Sequence, residues 1–179
     1  MQKDFNFIIS LMDSFVKQTA IQQRLNTIEE YHITGWEIWF QVEFASHLSK
    51  HIDVAEWYRE EQFNLDKRKN NYRNKIAIDF LVRKKRFSKD TFIALELKQH
   101  NSVETCITNM LKDVKKVLDI KKSEDYFRSY WNIGIHPKES KSMIKNKILK
   151  KERQCDVTLY ENYREVRFIP NTNFAYTVF

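Results

Sequence analysis

Glycine and proline are scarce, two of each in 179 residues. The chain also carries no internal repeat, low-complexity tract or convincing linker, and its length suits one domain with a core of its own. Cysteine is equally sparse. Cys106 and Cys155 are too few for a disulfide scaffold, so both are expected to be free thiols in a reducing, cytoplasmic setting. Long apolar runs are missing as well: FNFIISLMDSFV near the N-terminus is broken by Asp13 and followed by no small-residue cleavage site, which argues against a signal peptide or a membrane span. What the chain does have is 42% hydrophobic residues, 14% aromatics and a formal net charge of +7, the composition of a folded basic protein.

The positive charge is clustered. Lys67, Arg68, Lys69, Arg73 and Lys75 precede one apolar run; Arg83, Lys84, Lys85, Arg86 and Lys89 follow it; Lys138, Lys141, Lys145, Lys147, Lys150, Lys151 and Arg153 sit together further on. Patches of this kind suit a polyanion, although a lysine-rich solvated surface would look the same.

Hydrophobic periodicity predicts the elements. Phe5, Ile8, Ile9, Met12, Phe15 and Val16 mark a first amphipathic helix within 4–25. Thr34 and Glu37 have capping-box spacing for a second helix, GWEIWFQVEFASHLSKH, which is apolar nearly all round and so should be largely buried. Residues 54–65 are expected to be a strand that pairs with 76–83. The basic turn RKKRFSKD then makes a hairpin into a third strand at 92–98. Asn101 can cap the clearest helix of the chain, with Val103, Ile107, Met110, Leu111, Val114, Val117 and Leu118 in one stripe over the sheet. A strand at 126–137 would follow through a parallel crossover. A helix with Met143, Ile144, Ile148 and Leu149 inward comes next, then two or three closing strands whose apolar end could form a homodimer or partner-protein contact.

Charges inside apolar strands carry the chemical signal, because burying them is costly unless they are paired or hold a metal. Asp79 interrupts IAIDFLV, while Glu96 and Lys98 share one face of IALELKQ, about 6.6 Å apart. Two carboxylates, joined by the Leu97 carbonyl and water, suit Mg²⁺ or Mn²⁺. Lys98 beside them could orient or deprotonate a water or stabilise phosphoryl charge. Glu43, a carboxylate among aromatics on the second helix, could add a further ligand or be paired to a basic group. A simple same-face salt bridge is the bland alternative for Glu96 and Lys98.

Glu43 in QVEFASHL, Asp79 in IAIDF and Glu96-Leu97-Lys98 in IALELKQ stand in an order that resembles the PD-(D/E)XK nuclease superfamily. Ile78 takes the place of the motif's proline. The resemblance covers about 34–136 and implies an α/β, restriction-endonuclease-like αβββαβ core, a mixed central sheet flanked by helices, within a single 1–179 domain. It implies a Mg²⁺- or Mn²⁺-dependent deoxyribonuclease acting in restriction, phage defence or DNA repair. Asp79, Glu96, Lys98 and Glu43 would be its catalytic residues, with Asp79, Glu96 and Glu43 on the metal. Arg83, Lys84, Lys85, Arg86 and Gln99 are the residues expected to contact DNA. The competing expectation is a catalytically inactive nuclease-fold module that binds nucleic acid or a partner protein.

Overall fold

The computed structural model describes residues 1–64, 75–88, 91–117 and 127–179. The elements run α1 (Gln2–Val16), α2 (Thr19–Glu30), α3 (Glu37–Lys50), β1 (Val54–Asn64), β2 (Lys75–Lys84), β3 (Phe92–Gln99), α4 (Val103–Val117), β4 (Phe127–Pro137) and α5 (Lys141–Cys155). A 3-10 turn at Glu161–Tyr163 then leads to β5 (Glu165–Phe168) and β6 (Phe174–Val178). Lys67, Arg68, Lys69, Arg73 and Lys89 lie outside the described residues, as does Leu118.

The six strands form one mixed sheet in the order β1-β2-β3-β4-β6-β5. β1, β2 and β3 pair antiparallel, as the two hairpins expected between them require, and β3 pairs parallel with β4 through α4. Alternation along the strands sorts the side chains onto two faces. Phe80, Val82, Leu95, Leu97, Trp131, Ile133 and Tyr176 meet α1, α2 and α3 in the larger core. On the other face Cys106, Ile107, Met110 and Leu111 of α4 pack with Ile144 and Ile148 of α5, and Leu81 and Ala94 form a smaller cluster with Val117 and Tyr130.

Several expectations are corrected. The first helix is two helices, broken at Gln18, whose backbone is extended; the Gln22 amide then donates to the Val16 carbonyl and satisfies the end of α1. No side chain caps α3, so the Thr34–Glu37 box does not form. Nor is α3 buried all round: Ile38 and Val42 are 65% and 54% exposed, because only the Phe40–Phe44–Leu48 side meets the sheet. At the start of α4 it is Ser102, not Asn101, whose side chain accepts a backbone N–H, from Thr105. On α5 Met143 and Leu149 point outward, leaving Ile144, Ile148 and Glu152 as the inner positions. The apolar C-terminus is covered by the chain itself: Ala175 to Phe179 are buried, and Phe179 exchanges backbone hydrogen bonds with Asn132.

Candidate functional site

β2 and β3 share a ladder of only three residue pairs, ending at Phe80–Leu95. One step further the register would set Asp79 opposite Glu96, and there the strands part. The Asp79 carboxylate takes over the ladder's role, accepting the Leu97 N–H at 2.8 Å. Both acids lie on the α4 side of the sheet, since each is one residue out of phase with the Phe80 and Leu95 side chains of the larger core. Glu96 is 5% exposed. Burial pushes its carboxyl up to about 9, helped by the charge of Asp79 and a hydrogen bond to it, and opposed by Lys98.

Lys98 stands between two acids, with its Nζ 3.4 Å from Glu96 Oε2 and 3.3 Å from Asp113 Oδ2 on α4. Burial alone would lower its pKa, but Glu96, Asp113, Asp79 and Glu37 together outweigh this and raise it. The group is thus an ammonium paired to two acids, with the charges of two more nearby. Asp113 also holds Lys116, so one buried carboxylate bridges the site lysine to a lysine at the surface.

Glu37 was readable from the sequence only as a capping residue. Its Oε2 instead accepts the Gln99 N–H at 3.1 Å, pinning the start of α3 to the end of β3. Burial, then the charges of Asp79 and Asp113, raise its pKa against Lys98 and that hydrogen bond. Glu43 does not join this cluster. Its Oε1 is bound by Arg24 at 2.5 Å and by the Trp39 indole at 3.3 Å. Six helix positions separate the two glutamates, which rotates Glu43 about 240° from Glu37 and moves it about 9 Å along the axis. His47 is also engaged elsewhere, with Ser14 and Gln18.

β4 completes the floor. Asn132 is in register with Glu96, and Gly134 with Lys98. Asn132 is fully buried with its Nδ2 unpaired among the described residues, and the buried Oε1 of Gln99 is likewise without a hydrogen bond. Tyr130 sends its hydroxyl to Asn132, and burial keeps it a neutral phenol. Gly134 matters for position: a Cβ there would lie 2.3 Å from Met110 Sδ and 2.9 Å from Cys106 Sγ, so its absence lets α4 settle and brings Asp113 over Lys98.

Asp113 and Asn132 escaped sequence reading, but Asp113 left a signal. It lies on the inner stripe of α4 between Met110 and Val117, a charge out of place in an apolar pattern just as Asp79 is. Glu37 left none, because an acid in a first turn already has a capping explanation.

The basic hairpin is placed elsewhere. Lys84 is five residues from Asp79 along β2, about 16 Å towards the opposite end of the strand. Arg83 bonds Glu56 at 2.7 Å and the Lys84 ammonium sits over the Phe7 ring; Lys85 and Arg86 are exposed in the turn.

The Asp79–Glu96 pair fits a divalent cation. The two acids converge where β2 and β3 part, and Mg²⁺ sites commonly use one or two carboxylates with water and phosphate oxygens. Among the described residues no three His, Cys, Asp or Glu side chains form a ready-made metal cage. No helix there is long and apolar enough to cross a membrane. Comparison of the chain with family models, curated proteins and solved structures finds no match.

Proposed function

We propose that the protein is a Mg²⁺- or Mn²⁺-dependent nuclease that hydrolyses DNA phosphodiester bonds, with a restriction-endonuclease-like core. The observation that carries this reading is the Asp79–Glu96 carboxyl pair, with Glu96 buried, at the point where β2 and β3 part, and the Lys98 ammonium 3.4 Å from Glu96. The order α3-β1-β2-β3-α4-β4, with a parallel β3–β4 pair, supports the fold assignment.

In this reading Asp79 and Glu96 hold the ion, which when bound supplies Lewis acidity and a more acidic water. Glu37 takes the role that the sequence suggested for Glu43, since it is the α3 acid whose charge reaches Asp79 and Lys98. Lys98, surrounded by acids, stays protonated and so acts as a fixed positive charge on the phosphate oxygens rather than as a base. Asp113, 3.3 Å from the Lys98 ammonium, would keep it in place were Glu96 to hold the ion. The Asn132 Nδ2, without a partner among the described residues and in register with Glu96, lies beside the cluster and offers a hydrogen bond to a bound group.

The test is incubation of supercoiled plasmid and single-stranded DNA with Mn²⁺. Wild type is expected to cleave, and Glu96→Gln to lose at least about a hundredfold in rate while keeping its circular dichroism spectrum. Undiminished cleavage by Glu96→Gln would sink the reading. Salt-sensitive DNA binding without Mn²⁺ uptake in calorimetry would replace it with the inactive binding module.

A further inference from the structure

The outer edge of α4 carries Thr105, Asn109, Lys112 and Lys116, spaced by four, three and four residues. At about 100° per residue these fall within roughly 60° of one another, in a stripe about 16 Å long. Every member is a hydrogen-bond donor and two are cations. Of the acids on α4, Asp113 is turned under the helix, where Lys98 and Lys116 hold it, and Glu104 pairs with Lys151. Lys112 is exposed, and the side chains of Asn109 and Lys112 make no hydrogen bond or ion pair among the described residues. On α5, Lys147 bonds Glu139 and Lys151 faces Glu104, so these two lysines are already neutralised.

We propose that this edge of α4 is a track for the phosphate backbone of a nucleic-acid strand, ending at the Lys116–Asp113–Lys98 bridge. Its length lets a few successive phosphates of one strand lie along it. One free cation, Lys112, a second, Lys116, shared with Asp113, and two neutral donors in one row bind successive phosphates without reading bases, and the row leads to the ammonium buried among the site's acids. The destination rests on the nuclease reading; the binding does not. The track is a different surface from the hairpin at Arg83 to Arg86, because it lies on α4, although the Val117 end of that helix packs by Leu81 and Phe92 at the same end of the sheet.

The probe is a fluorescein-labelled DNA of about 20 nucleotides, single-stranded and as a duplex, titrated in EDTA between about 50 and 200 mM salt. Lys112→Ala, which breaks no ion pair, should lower the slope of log affinity against log salt by about 0.7 on the single strand or 0.9 on the duplex. Lys112→Ala/Lys116→Ala should double that change and weaken binding about tenfold at the lower salt. Lys3→Ala/Lys17→Ala, on α1 and at its C-cap across the sheet, removes equal charge and should stay within about twofold of wild type. The proposal is overturned if the α4 variants keep the wild-type slope, if Lys85→Ala/Arg86→Ala loses as much, or if wild type binds neither probe. A slope change without Mn²⁺-dependent cleavage by wild type would retire the nuclease and keep the track; cleavage with an unchanged slope would do the reverse.

Discussion

Glu37 and Glu43 show how one side chain's surroundings decide its role. Glu43 is partly exposed in an ion pair with Arg24, whose side chain is 51% exposed, and such pairs contribute at most about 1 kcal/mol. Glu43→Gln is therefore expected to change stability by less than that and leave Mn²⁺-dependent cleavage intact. Glu37→Gln should lower cleavage by about tenfold or more and weaken Mn²⁺ binding in calorimetry. Equal effects of the two would remove Glu37 from the site.

The same scale governs pH. His136 is fully buried; its ring faces the Pro137 carbonyl and the Thr177 hydroxyl, and burial lowers its pKa. Burial, then His51, lowers that of His47. With folded values below 6.5, both histidines bind fewer protons folded than unfolded, so their contribution is complete above pH 6.5 and lost as pH falls through the folded values. Glu37 and Glu96 act in the opposite sense. Their raised values favour the folded state below about 4.5, an advantage lost for Glu96 as pH rises towards about 9. Urea midpoints should separate the two: His47→Gln/His136→Gln should flatten the acid side relative to wild type, and Glu96→Gln the alkaline side in EDTA. A variant curve parallel to wild type throughout would contradict the assignment.

At the scale of elements, the position of α4 depends on Gly134. Gly134→Ala forces a methyl against Met110 and Cys106; Met110 can swing away, while the shorter Cys106 side chain cannot without moving the helix. A cost of about 1–3 kcal/mol is expected, or roughly 2–12 °C in Tm, with weaker Mn²⁺ binding as Asp113 is lifted from Lys98. An unchanged Tm would mean that α4 does not pack as closely as this. The hairpins, the parallel crossover and the strand acids were legible in the sequence because period-2 alternation is a local property that pairing does not alter. Helix faces were less so. Ile38, Val42, Met143 and Leu149 are apolar yet exposed, since a helix with apolar residues on several sides does not declare which side meets the sheet.

At the scale of the whole molecule, β6 is an interior strand although it comes last in the chain: it lies between β4 and β5, with Tyr176, Thr177 and Val178 fully buried. Deleting residues 171–179 would leave Ile133, Ile135 and Val166 without their neighbours and split β5 from the sheet. The deletion is expected to abolish the cooperative thermal transition rather than to change an oligomeric state, as circular dichroism and light scattering would show. A folded deletion variant with altered mass would restore the idea of a C-terminal contact between copies.

The sequence by itself determined the strand periodicity, the chain order of the acids and the pairing of Glu96 with Lys98 on one face, all of which follow from spacing within one element. Only the tertiary structure decided which α3 acid reaches them, that Asp113 is the second partner of Lys98, and that the basic hairpin lies away from them. The reason is geometric. Spacing sets the angles between residues around a single helix or strand, whereas the rotation of that helix about its axis, and its height over the sheet, are set by contacts with residues distant in the chain.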